Sequence, residues 1–349
     1  MDAIPLVLQP TLAEYTALAE ELRDVRADGS DAVADWARRW LDRLATTRAG
    51  ALGHEIRATI ERAAFHIEQL VRSQAATPRS LAGAEEVLAR LHGFDGWLAF
   101  ASHLQGLMET GSATARFEAA ADAVVDGELS ALQTAVAHDP ALIRATSQRR
   151  HHSTLLHYVA ANGIEDFRQR TPSNIVEVTR FLLAAGAEVD APNADYAGGG
   201  SALGLVATSI HPYNAGLQIQ LMEILVAAGA NLEGLPGGWR PVDAALANGC
   251  PEAAGWLADR GARLTIISAA ALGRMERLQA ELEGATRAEI EEAFILACGY
   301  GHTRAAEVLL DHGVDIEAGD GRAMRLALEY GHDATVAMLR ERGAAARRR

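Results

Sequence analysis

The sequence predicts an all-α protein in which a small helical domain precedes a solenoid of about seven helix-turn-helix units, some of them degenerate. Three observations carry that expectation. Apolar residues recur at helical spacing along most of the chain. Aromatic residues make up only 5% while alanine is abundant, which favours closely approaching helices over an aromatic-rich β core. From about residue 116 onward the chain is self-similar: an Ala-rich helix, a glycine turn, an apolar helix, then Gly-Ala and an extended polar loop. At 349 residues the chain exceeds the usual size of one compact core, so residues 1–110 read as a helical domain and 116–346 as the repeat array.

In the first region, Thr11 and Glu14 have capping-box spacing ahead of Leu12, Tyr15, Leu18, Ala19 and Leu22. Asp28, Gly29 and Ser30 break that helix. The next carries Val33, Trp36, Trp40 and Leu44 on one stripe, the spacing of a buried helix face rather than of a cofactor box. A third helix over roughly 52–72 places Ile56, Ile60, Ala64, Ile67 and Val71 on one side. Thr77-Pro78 opens a fourth, which Gly93 closes. His54 and His66 fall in the third helix, but HEIRA is not HExxH, and no zinc site is read there.

In the second region the recurring endings are FLLAAGAEVDAP (181–192), ILVAAGANLEGL (224–235), WLADRGARL (256–264), VLLDHGVDIEAGD (308–320) and MLRERGAAA (338–346). Their glycines are Gly186, Gly229, Gly261, Gly313 and Gly343, spaced by 43, 32, 52 and 30. The 52 divides if Gly284 ends a short unit, and the 43 requires an insertion. These glycines are expected at φ > 0 at helix C-termini, where a Cβ costs about 1 kcal/mol or more.

The helices before those endings carry a family likeness. TLLHYVAANG (154–163) resembles the ankyrin TPLHxAAxxG signature, with Leu155 in place of the usual proline. RPVDAALANG (240–249) keeps the proline and puts Asp243 where histidine is usual. AFILACGYGH (293–302) and AMRLALEYGH (323–332) keep the helix and a Gly-His turn, and residues 116–143 fit a degenerate first unit. The segment 81–104 resembles a short helical module that precedes ankyrin repeats in many bacterial proteins, its Gly93, Phe94 and Trp97 matching a Gly-Phe turn and a helix-starting tryptophan. The resemblance implies an N-terminal cap over the first repeat and a structural, hydrogen-bonding role for His157. It implies little about function, because such arrays serve many purposes.

Charge and composition narrow the classes. A net charge of −14 opposes nucleic-acid backbone binding. The chain has no lysine, which excludes Schiff-base and P-loop lysines. Cys250 and Cys298 form no disulfide framework or zinc spacing and read as buried small hydrophobes. Arg347, Arg348 and Arg349 read as a solvated tail, with a local anion contact as the alternative. No secretory signal and no run of roughly 18 apolar residues is present, so a cytoplasmic protein with no membrane partner is expected. The composition resembles that of a GC-rich bacterial genome. No cofactor is expected.

Function is sought where the repeats depart from regularity. IEDFRQRTPSN (164–174) and IHPYNAGLQ (210–218) intrude between first and second helices of consecutive units, and stacking puts them side by side as ordered loops. They bring Glu165, Asp166, Arg168, His211 and Tyr213 together, with Tyr158 and Asn162 at their foot. Either the loops pack on each other, with Arg168 or Arg170 pairing Glu165 or Asp166, or the polar groups converge on a ligand. On the opposite edge, long glycine-rich loops offer Tyr196 and Trp239 as aromatic anchors. His151, His152, His157 and His211 lack compact ligand spacing, so no metal is expected. The leading expectation is a binding protein without a catalytic motif, presenting a concave groove to a protein partner, with basic partners favoured by steering. The alternative is a small-molecule pocket bounded by Tyr158, Arg168, His211 and Trp239, made catalytic if Glu165, Asp166 or Asp195 works with a histidine.

Overall fold

A computed structural model describes residues 3–7, 10–28, 30–47, 56–73, 80–162, 165–194 and 199–343. Among them regular structure is helical, and β pairing is confined to isolated bridges. His54, Asp195, Tyr196 and Arg347 to Arg349 lie outside the described residues. The chain divides into two compact units, Met1–Ala230 and Asn231–Arg349. The division falls within residues 116–346, the stretch expected to form the array, and the N-terminal helices share one unit with residues up to 230.

The first unit opens with α1 (Leu12–Asp28), α2 (Ser30–Thr47), α3 (Ile56–Ser73), α4 (Leu81–Leu91) and α5 (Trp97–Met108). The Thr11 hydroxyl accepts the Glu14 amide at the start of α1, as the capping spacing anticipates. Val33, Trp36, Trp40 and Leu44 are buried together, and the two indoles stack with centroids 5.4 Å apart. Tyr15 meets His92 and Phe100 edge-on, with Leu88 and Phe94 in the same core. Burying each such apolar side chain contributes about 1.5–3 kcal/mol. Gly93, at φ +82, ends α4 and lets residues 3–7 lie close, since a Cβ there would stand 3.1 Å from that of Ala3. That N-terminal segment is held by Ile4 N–H to Leu91 O and by the His92 Nδ1–H to Ile4 O, both at 3.0 Å, and Ala3 pairs in parallel with Glu165.

The same unit continues with α6 (Ala113–Asp126), α7 (Leu129–His138), a 3₁₀ turn (Pro140–Ile143), a 3₁₀ helix (Leu155–Ala160) and a second 3₁₀ turn (Asp166–Arg168). It closes with α8 (Ile175–Ala184), α9 (Ala202–Ala207), α10 (Ile210–Asn214) and α11 (Gln218–Ala227). Two details differ from the sequence reading. Within 154–162, Leu155–Ala160 form a 3₁₀ helix, stopped by Ala161 in the left-handed region at φ +47. Residues 210–214 are a short helix rather than a loop, with Pro212 in the first turn, where its missing N–H leaves no bond unmade.

The second unit is a series of helical hairpins: α12 (Pro241–Ala247) with α13 (Pro251–Asp259), α14 (Ile266–Ala271) with α15 (Met275–Leu282), α16 (Arg287–Gly299) with α17 (Thr303–Asp311), and α18 (Ala318–Glu329) with α19 (Asp333–Glu341). The first helices of successive hairpins also pack on one another, α12 on α14, α14 on α16 and α16 on α18. Gly186 and Gly229 in the first unit and Gly261, Gly313 and Gly343 in the second all take φ between +96 and +98. Gly284 does not adopt the left-handed region, so the short unit it ends turns by other means. No described helix is long and apolar enough to cross a membrane.

Candidate functional site

The insertion at 164–174 builds a buried charge cluster in the first unit. Glu165 is fully enclosed and sits at the end of the pairing with Ala3. Its carboxylate receives Arg168 Nη1 at 2.8 Å, the Tyr158 hydroxyl at 2.6 Å and His151 Nε2 at 3.1 Å, with Arg149 Nη1 at 3.5 Å. Glu118, on α6, accepts Arg149 at 2.8 Å and Arg168 at 2.9 Å. Arg168 also reaches Asp122 at 2.8 Å. His151 Nδ1 accepts the Ser153 amide, so the ring proton sits on Nε2 and is donated to Glu165. Arg149 and Arg168 lie against the Phe167 ring, and the Arg149 Nε has no hydrogen-bond partner.

Two guanidiniums and two carboxylates balance in charge, which is what makes so deep a burial tolerable. Burial pushes the Glu165 carboxyl up, but Arg149 and Arg168, joined by the His151 hydrogen bond, outweigh it and hold the group well below the usual carboxylate range. Glu118 is lowered against its own burial by the same two arginines. Burial, reinforced by Glu165, raises the Tyr158 phenol well above its ordinary value.

The sequence-predicted residues part company here. Tyr158, Glu165 and Arg168 meet inside the cluster. Asn162 donates to Leu205 O at 3.0 Å, and His211 Nε2 donates to Gln169 Oε1 at 3.2 Å, so the two insertions do touch. Tyr213 is exposed on α10, and Asp166 is placed by its backbone alone. Trp239 is half-buried in the second unit. The void among His157, Tyr158, Asn162, Glu165, Arg168 and Gln169 is about 10 Å³, room for one water at most. An ionised Glu165 with three donors clamps the insertion down. His157 is likewise structural: Nδ1 accepts the Thr154 amide and Nε2 donates to Ala191 O at 3.0 Å.

A cleft of ligand size lies in the second unit. It has a volume of about 800 Å³ and is formed by the exposed faces of α12, α14, α16 and α18. Helical spacing sorts its lining into lanes. Glu292 and Leu296 on α16 and Tyr300 at its C-cap lie at i, i+4 and i+8; Arg322 and Leu326 on α18 and Tyr330 at its C-cap repeat the pattern. Leu246 on α12 and Ile267 on α14 extend the aliphatic lane. Arg322 pairs with Glu292 at 3.0 Å, Arg240 pairs with Asp243, and the Tyr300 hydroxyl donates to Leu246 O. Gly299 keeps the floor low, since a Cβ there would come within 3.2 Å of Leu326. Tyr330 is 62% exposed, its ring tilted against that of His332.

The residues of this cleft sit at regular positions, away from the insertions where the sequence departs from its pattern. The signal was present in AFILACGYGH and AMRLALEYGH, which share leucine and tyrosine at matching distances before the Gly-His turn. Among the described residues, no group of three or more His, Cys, Asp or Glu is arranged to hold a metal ion. No protein-family model matches the chain and no curated protein matches its sequence, which leaves the geometry of the cleft as the ground for a functional reading.

Proposed function

We propose that the chain is an ankyrin-repeat protein of bacterial type that binds a protein partner in the groove formed by α12, α14, α16 and α18. The observation that carries this reading is the mostly half-buried aliphatic and tyrosine lining of a cleft of about 800 Å³, rimmed by the exposed Tyr330 and within the size range of recognition sites. Tyrosine partly in water on a rigid helical surface is a usual anchor of an interface. The hairpins with left-handed glycines at their turns are consistent with repeats of this family. A cytoplasmic location accompanies the proposal. A small-molecule pocket between the insertions of the first unit is the weaker reading, because the space there holds one water at most.

The test is selection of binders from a random peptide library against the whole protein, followed by titration of the selected peptides on wild type and on Leu326→Arg. The reading expects affinity to fall at least tenfold on the variant. Selected peptides that bind wild type and variant alike would place recognition elsewhere.

A further inference from the structure

A second recess belongs to the first unit, between α1 and α2. Glu14, Leu18 and Glu21 fall at i, i+4 and i+7 on one face of α1. Trp40, Arg43 and Leu44 stand at i, i+3 and i+4 on α2 and line the same recess. Its volume is about 450 Å³, within the range of small-molecule sites. Leu18, Trp40 and Leu44 are buried, whereas Glu14, Glu21 and Arg43 are exposed. Apolar side chains therefore lie low in the recess and charged ones at its rim.

The stacked indoles of Trp36 and Trp40 are core, yet their N–H groups differ. Trp36 Nε1 donates to Glu21 Oε2 at 3.1 Å, which leaves Oε1 to receive a second donor. Trp40 is 2% exposed, and among the described residues no acceptor meets its Nε1–H. A buried donor without an acceptor is rare, and on the wall of a recess it names an atom that an occupant supplies. One helical turn along α2, Arg43 Nη2 stands 3.9 Å from Glu21 Oε2, an ion pair beyond hydrogen-bond distance. Both side chains are more than half exposed, so each is free to turn onto a third group.

A carboxylate and a guanidinium side by side, with an indole N–H next to them, complement an ammonium and a carboxylate borne by one carbon. The ammonium goes to Glu21, the carboxylate to Arg43 and the Trp40 N–H, and the side chain of that carbon meets Leu18 and Leu44. A simple anion would face Glu14 and Glu21, and a simple cation would face Arg43 and leave the indole N–H unmet. We propose that the recess between α1 and α2 binds a free α-amino acid with an apolar side chain. This site is independent of the groove in the second unit.

The experiment follows the indole N–H signals of the isotope-labelled full chain by NMR, the Trp40 signal being assigned by its loss in Trp40→Phe. L-Leucine is titrated in, and then three partial probes: glycine lacks the apolar side chain, 4-methylpentanoate the ammonium, and 3-methylbutylamine the carboxylate. L-Leucine is expected to shift the Trp40 signal saturably, with a midpoint below about 5 mM, and each partial probe to bind at least tenfold more weakly. Glu21→Gln and Arg43→Gln are each expected to weaken leucine at least tenfold. Glu21 also holds Trp36, so if Glu21→Gln disturbs the helix pair, the exposed Arg43→Gln decides alone. No saturable shift of the Trp40 signal up to about 50 mM overturns the proposal, as does a response confined to other indoles. Equal binding of 4-methylpentanoate or 3-methylbutylamine removes the amino-acid ligand, equal binding of glycine removes its apolar side chain, and leucine binding unchanged in Arg43→Gln removes the site.

Discussion

Glu165 and Arg168, three residues apart, meet at 2.8 Å with their side chains 0% and 4% exposed. Arg170, two residues further on, pairs with Asp126 in a bridge whose partners are about two-fifths exposed. The same insertion thus holds a buried and a surface ion pair, and they are expected to differ in energy. Arg168→Met leaves two buried carboxylates to share Arg149 as their guanidinium and should destabilise the first unit by about 3–5 kcal/mol, whereas Arg170→Met should cost about 0–1 kcal/mol. Urea unfolding of the two variants measures the difference; equal midpoints would mean the enclosed cluster does not stabilise the fold.

Acid should unfold the first unit in two stages. Burial lowers the His92 imidazole to about 3, and those of His103 and His157 to about 4 each. Unfolded histidines titrate at their ordinary 6.5, so below that pH the unfolded chain takes up protons that the folded one refuses. Stability falls from about pH 6.5 towards pH 4, by up to about 1.4 kcal/mol per pH unit for each histidine. Glu118 and Glu165 act lower: their contribution is intact above the ordinary carboxylate value of 4.5 and disappears as pH drops through their depressed folded values. Urea midpoints between pH 7.5 and 5 report the first stage, and a flat profile there would contradict it.

Two turn glycines in the second unit form a matched pair. Gly301 and Gly331 have φ of +75 and +72, but a Cβ at Gly301 would lie 2.5 Å from His332 Nδ1 while one at Gly331 meets nothing within 4 Å. Gly331→Ala should cost about 1–2 kcal/mol for backbone conformation alone. Gly301→Ala should cost about 1–3 kcal/mol more, because it drives His332 off its bond to Gly299 O. Thermal unfolding resolves the two, and indistinguishable midpoints would show that His332 gives way freely.

Cys250 and Cys298 are both buried, and burial pushes the Cys298 thiol up to about 12. Neither should react with a disulfide reagent at pH 8 in the folded protein, and both should react in urea. Rapid native labelling of either would mean that its helix opens.

The helices and their glycine turns were legible because each rests on a local rule: Gly186, Gly229, Gly261, Gly313 and Gly343 sit where the left-handed region must follow a helix. The Glu165–Arg168 pair was legible as neighbours in sequence. Glu118 and Arg149 were not, since the clamp joins residues 31 to 50 positions apart and no periodicity encodes such pairing. Leu326 and Tyr330 escaped for the opposite reason. They occupy matching places in two helices, and how far such a position is covered shows only once the neighbouring helix is placed.

The pairing of Ala3 with Glu165 sets an order of events during synthesis. Ala3 finds this contact only after about 160 further residues have been added, roughly 10–30 s later at ordinary elongation rates. Until then His92 can hold Ile4, but the edge that Glu165 completes stays open and the arginines of the clamp lack their common carboxylate. Nascent chains stalled just short of Glu165 should therefore engage chaperones, and chains stalled well beyond it should not.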